Sequence, residues 1–151
     1  MDEILSRLFE DYTGRKVSES AEINTSGSNR RYYRMKSGDI SLIGVTGTSL
    51  EENKAFIAID RHFIEAGIRV PKVLAVSDDC MAYIQEDLGD ESLFSAVSHG
   101  RETGEYSDHE RALLCKVAEE LPKIQFKGGK GLDYSVCYPE PEFGERMVMF
   151  D

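Results

Sequence analysis

Near the middle of the chain lies a helical pattern marked at both ends, and it divides a stretch that otherwise reads as strands. Ser49-Leu50-Glu51-Glu52 forms a capping box, with the serine oxygen bonding forward and Glu52 reaching back. Ala55, Phe56, Ile59, Phe63 and Ala66 then recur as an apolar stripe, and Gly67 predicts the stop. Three strand runs precede it: a loose one over residues 17–25, a tyrosine-rich one over 31–36, and Ile40-Ser41-Leu42-Ile43-Gly44-Val45. A small-residue turn at 26–29 and a tight turn at Ser37-Gly38-Asp39 separate them. Two more strands follow over 70–76 and 81–85, with a turn at Ser77-Asp78-Asp79. Short turns demand antiparallel neighbours. The pattern therefore predicts an α+β fold, a five-stranded antiparallel sheet with one helix inserted after the third strand.

The flanks add helices. Ile4, Leu5, Leu8, Phe9 and Tyr12 recur at helical spacing and stop at Gly14. Leu93, Phe94 and Val97 predict a short helix, the polar stretch 99–106 a loop, and Ser107-Asp108-His109-Glu110 a second capping box. That box opens a helix through Leu121, which Lys127-Gly128-Gly129-Lys130-Gly131 breaks. A new element is predicted near 145–150. The reading divides the chain into a sheet-bearing lobe over 1–88 and the beginning of a helical lobe over 89–151.

Charge is unevenly placed. Residues 1–75 carry 11 Lys+Arg against 11 Asp+Glu, leaving 7 against 17, or −10, for residues 76–151. An acidic half repels nucleic acid and anionic lipid, so neither is an expected partner. It reads as a solvated surface or as one that faces a cationic ligand. Three cysteines, Cys80, Cys115 and Cys137, show no paired spacing, and His62, His99 and His109 make no ligand spacing with them. Disulfide and metal frameworks are thus not predicted, and a reducing cytoplasm is the expected setting. No run reaches membrane-spanning length.

Two segments carry chemistry. In Ser26-Gly27-Ser28-Asn29-Arg30-Arg31-Tyr32-Tyr33-Arg34, small residues free the backbone to turn successive N–H groups onto an anion. The arginines beside them offer planar forks matched to phosphate. In Tyr83-Ile84-Gln85-Glu86-Asp87-Leu88-Gly89-Asp90, an apolar strand runs into an extended polar segment whose backbone suits a flat base. Ser26, Gly27, Ser28, Asn29, Arg31 and Arg34 are thus candidates for phosphate, and Gln85, Glu86, Asp87 and Leu88 for a base. Arg30 and Arg31 leave a strand on opposite faces, and Arg31, with Tyr33, is taken as the one turned toward the phosphates. A generic β-turn and an ordinary acidic turn remain open for the two segments.

These runs, with "SLEENKAFIAIDRHFIEAGI", "VPKVLAV" and "YIQEDLGDESLF" in that order, resemble the aminoglycoside phosphotransferase and choline kinase superfamily. The likeness covers roughly residues 1–98 and is greatest to the bacterial branch that phosphorylates cell-wall amino sugars. It implies the amino-terminal lobe of a kinase-like enzyme, using ATP with Mg2+ to phosphorylate a hydroxyl of a sugar, amino sugar or aminoglycoside. It further implies that Glu86 offers a carbonyl and Leu88 an N–H to adenine. The family-type third-strand lysine is missing from residues 40–45, so Arg34 or Lys36 is the expected substitute, with Glu51 or Glu52 as partner acid. No His-x-Asp occurs in the sequence, so no catalytic residue is assigned here. The chain is read as truncated before the catalytic loop, its last apolar residues stopping without a cap. A non-catalytic nucleotide-binding or interaction module is the alternative, and the gene downstream of Asp151 discriminates the two.

Overall fold

The computed structural model describes residues 2–23, 29–142 and 144–149. Five strands form one sheet: β1 (Glu19–Ile23), β2 (Arg31–Ser37), β3 (Ile40–Thr46), β4 (Val73–Val76) and β5 (Ala82–Glu86). Every neighbouring pair is antiparallel and the order across the sheet is β1-β2-β3-β5-β4. The β2–β3 register is set by the turn at Gly38, whose φ of 61° suits glycine, and pairs Ser37 with Ile40 and Arg34 with Ile43. One helix, α2 (Leu50–Glu65), lies between β3 and β4 in sequence, as the capped pattern predicts.

Alternation along the strands sorts the side chains onto two faces. On one face Met35, Leu42, Ala82 and Ile84 pack with Leu5 and Phe9 of α1 (Glu3–Thr13). A Cβ at Gly44 would meet Met35 Sδ at 2.6 Å and the Leu5 methyls at 3.1–3.2 Å, so this glycine is what lets α1 sit close to the sheet. On the other face Ile43, Val45 and Tyr83 form a second cluster with Tyr32 and with Phe56 of α2. Phe56 stacks on Tyr83 with ring centroids 5.3 Å apart.

The start of α2 is anchored by polar contacts. Ser49 accepts from the Glu52 N–H at 3.2 Å, which is half of the predicted capping box. The reciprocal arm is replaced, because the Glu52 carboxylate engages Arg30 instead. Asn53, fully buried, donates to the carbonyls of Cys80 (3.0 Å) and Met81 (3.3 Å) in the β4–β5 turn. Its amide lies where a Cβ on Gly47 would be, at 2.3 Å. The helix face that buries Asn53, Ala55, Ile57 and Asp60 is thus more polar than the predicted stripe. Phe56, Ile59, Phe63 and Ala66 are only half-buried.

The chain groups into two compact units. The first is residues 1–87 with 132–151, and the second is Leu88–Gly131. A 3-10 turn at Tyr134–Val136 lies beside α2, which brings the later segment to the first unit rather than to one continuous part over 89–151. The second unit holds α3 (Leu93–Ala96), α4 (Ser98–Thr103) and α5 (Asp108–Pro122), the last continuing as a π-helical turn over Lys123–Gly128. The polar stretch predicted as a loop over 99–106 is helical through Thr103, ending at Gly104 with φ 79°. Its polar residues satisfy the turn locally: Thr103 donates to the His99 carbonyl at 2.8 Å. The capping box of α5 is complete, and Glu110 also accepts from the Gly100 N–H at 2.9 Å. A short helix, α6 (Glu145–Val148), follows near the predicted position. No helix among the described residues is long and apolar enough to cross a membrane.

Candidate functional site

On the α2 face of the sheet, two polar assemblies meet the apolar cluster. The first sits where β3 leaves for α2. Arg31 pairs with Thr46, so Arg30 stands opposite Gly47, one residue before the strand begins. Its guanidinium reaches Glu52 on the first turn of α2, with Nη2 3.0 Å from Oε1 and 3.2 Å from the backbone carbonyl. The Cζ of the same group lies over the Phe56 ring, 4.9 Å from its centre. Phe56 thus contacts both Arg30 and Tyr83, and the Arg30 side chain is only 11% exposed.

The second assembly lies at the opposite end of the same face. Arg34 grips Asp87 with both arms, Nε to Oδ2 at 2.7 Å and Nη2 to Oδ1 at 3.0 Å. Ser41 on β3 donates to the same carboxylate at 2.6 Å. The pair is 18% and 8% exposed, so these charge-assisted bonds work at low local dielectric and tie β2 and β3 to the end of β5.

Between them lie two buried polar atoms, Tyr83 Oη and Gln85 Oε1, with no hydrogen-bond partner among the described residues. Burial pushes the Tyr83 phenol well above its ordinary range, opposed by the nearby Arg30 charge. Asp60 of α2 is buried too and accepts from the Val73 N–H at 3.1 Å. Its carboxyl is pushed up by burial, and the Val73 hydrogen bond offsets part of that.

The candidates from the sequence are placed as follows. Ser26, Gly27 and Ser28 lie outside the described residues, and Asn29 is an exposed bend residue. Arg31 is on the α1 face, 63% exposed, and bonds Glu22 of β1 with both arms at 2.9 and 2.8 Å. Glu22 is thereby held below the usual carboxylate range. Arg30, not Arg31, shares a face with Glu52. Lys36 is exposed, and Arg34 pairs with Asp87 rather than with an α2 acid. Of the two acids expected beside Arg34 or Lys36, Glu52 bonds Arg30 instead, and Glu51 is exposed. Gln85 is on the α2 face by parity with Tyr83, and Glu86 is on the other. Leu88 opens the second unit with its side chain 72% exposed.

Arg30, Tyr83 and Ser41 are the residues that the sequence reading missed. One signal was present: the Gly38 turn fixes Tyr32 against Val45 and Arg34 against Ile43, putting Arg30 on the same face. What it does not fix is which face α2 covers.

No group of three or more His, Cys, Asp or Glu among the described residues is placed to hold a metal ion. Compared with known proteins, the chain matches no family model and no curated protein sequence.

Proposed function

We propose that this chain is the nucleotide-binding part of a small-molecule phosphotransferase of the kinase-like type, taking ATP on the α2 face of its sheet. The acceptor class is a hydroxyl of a sugar, amino sugar or aminoglycoside. The observation that carries the reading is the Arg30–Glu52 ion pair, set in a β1-β2-β3-β5-β4 antiparallel sheet with its helix inserted after β3. Kinase-like lobes use a cation held by a helix glutamate to grip nucleotide phosphates. Here the cation comes from the entry to β2 rather than from β3, where Ile40–Thr46 has no lysine.

The chemistry follows from the residues. Arg30 carries five N–H donors in a rigid fork. Glu52 occupies Nη2 and fixes the fork's plane, so a polyphosphate meets a cation already oriented. The Ser26–Asn29 segment, next in sequence, would supply small-residue backbone donors for the same phosphates. Gln85, Glu86 and Asp87 end the strand at the far side of the face, where a base would lie. Asp87 and Arg34 bind one another and so shape that end instead of offering their charges to ligand. No Asp of a His-x-Asp loop is present, so the chain binds and orients nucleotide without transferring a phosphoryl group.

The test is calorimetric titration of the chain with ATP. Arg30→Met should weaken binding about tenfold, as loss of a charged hydrogen bond to phosphate predicts, and Arg31→Met should leave it within about twofold. Equal effects would remove Arg30 from the site. A non-catalytic nucleotide-binding module is the second reading, favoured by the missing β3 lysine. ATP binding by the full-length gene product with no phosphoryl transfer to any amino sugar would select it.

A further inference from the structure

The second unit leaves its apolar side chains uncovered. Of those in Leu88–Gly131, only Val97 is buried among the described residues. Helices in proteins are held mainly by burial of an apolar face, yet the one buried residue of α5 is Glu110. Leu114, Val117 and Leu121 of α5, with Ile124 of the turn that continues it, stay 37%, 40%, 52% and 38% exposed. A single exposed leucine means little. These four are spaced three, four and three residues apart, which gathers them into one stripe. Such a stripe is the seam that one helix offers to another.

We infer that the Leu114–Ile124 stripe of α5 is the interface of a reversible antiparallel dimer of this chain. The spacing names the second helix, because three, four, three reads the same in both directions. A second copy laid antiparallel about the middle of the stripe sets Leu114 against the partner's Ile124 and Val117 against the partner's Leu121. Every apolar residue then meets an apolar one, and the contact is self-complementary. Charge selects the same orientation. The helix opens with Asp108 and Glu110, and its last turns carry Lys123 and Lys127. Antiparallel copies bring acidic starts beside basic ends and oppose the helix dipoles, whereas parallel copies align like charges. Over 108–128 four basic residues balance four acidic ones, so these faces meet without the repulsion that a chain of net charge −10 otherwise imposes. The area is small, since each side chain is already about half covered. It falls below roughly 1,200 Å2, the floor for a stable complex, so one copy and two should exchange freely.

Sedimentation equilibrium of the full chain, from about 10 μM to about 1 mM, tests the association. The average mass should rise from one chain toward two and level there. Leu121→Glu should weaken the association at least about tenfold, because it places a charge at the centre of the seam. Leu121 is half exposed, so this variant should fold, with its thermal midpoint as the check. Orientation is read by oxidative cross-linking with the exposed Cys115 replaced by Ser. Leu114→Cys together with Ile124→Cys should give a covalent dimer, and Leu114→Cys alone should give no more than the Cys115→Ser parent. A mass of one chain at every concentration overturns the inference, as does association that Leu121→Glu leaves intact. A mass that climbs past two copies replaces the closed pair with open-ended aggregation and overturns it too. Cross-linking by Leu114→Cys alone, as strong as that of the pair, overturns the antiparallel arrangement and the inference with it.

Discussion

Asp87→Ala should destabilise the sheet-bearing unit by about 3 kcal/mol. The carboxylate is 8% exposed and accepts from Arg34 Nε, Arg34 Nη2 and Ser41 Oγ at 2.6–3.0 Å. Removing one partner of a buried pair typically costs about 3–5 kcal/mol, because the other charge stays desolvated. Arg34 is 18% exposed, so water reaches it in part and the lower end applies. The Ser41 hydroxyl, left without this acceptor, is included in that figure at about 1 kcal/mol. Native-state hydrogen exchange at the Tyr83 and Ile84 amides, in the fully buried centre of β5, reads this unit directly. About 3 kcal/mol corresponds to a protection loss of roughly a hundredfold. Arg31→Ala, which breaks the outward pair with Glu22, should change protection only slightly, since both partners are well exposed. The double variant Arg34→Met with Asp87→Leu should regain most of the loss, as replacement of a whole buried pair often does. A change under threefold for Asp87→Ala, or one equal to that of Arg31→Ala, would refute the argument from burial.

Three further outcomes follow from the same structure. Glu110 is held at a pKa of about 2 by the Gly100 N–H, the Ser107 N–H and the Ser107 hydroxyl, against an unfolded value of about 4.3. Its contribution is complete above the unfolded value and lost as pH falls from about 4.3 through about 2, so acid exchange protection of α4 and α5 should fall in that window and flatten in Glu110→Gln. Asp60→Asn should be neutral or stabilising at pH 7 by urea denaturation, because burial already disfavours the carboxylate and an amide oxygen can still accept from Val73 N–H; Asp60→Leu should cost about 1–3 kcal/mol by leaving that N–H unpaired. Gly47→Ala should lower the thermal midpoint markedly, since the new Cβ would collide with the buried Asn53 amide; an unchanged midpoint would show that Asn53 can move.

Most of the element order was legible because α1, α2 and α5 are marked by caps or glycine stops and the strands by their turns. Ser49 and Ser107 do cap their helices, and Gly14, Gly38 and Gly67 sit at the predicted breaks with positive φ. The helix at Ser98–Thr103 was not legible, since Ser98-His99-Gly100-Arg101-Glu102-Thr103 has no apolar period. Its Gly100 fits beneath Tyr106, where a Cβ would be 2.2 Å from the ring, and that tertiary fit leaves no trace in periodicity. The polar assemblies of the candidate site were legible by segment and not by side chain. Both the arginine cluster and the strand-end acids hold polar assemblies, but Glu52 binds a cation that parity alone could not choose. The Arg34–Asp87 pair spans 53 residues, a contact that no local pattern encodes.

The central claim is that nucleotide occupies the α2 face. Titrating ATP into the labelled chain while following backbone amide shifts tests it most directly. Saturable shifts should gather at Arg30, Tyr32, Ile43, Gln85 and Glu86, residues that border the Arg30–Glu52 pair and the end of β5. A cleft of about 380 Å3 on the opposite side, between α1 and the β4–β5 turn and lined by Ile4, Leu8, Val76 and Asp78, supplies the contrast. Shifts confined to that cleft, or none that saturate, would contradict the account.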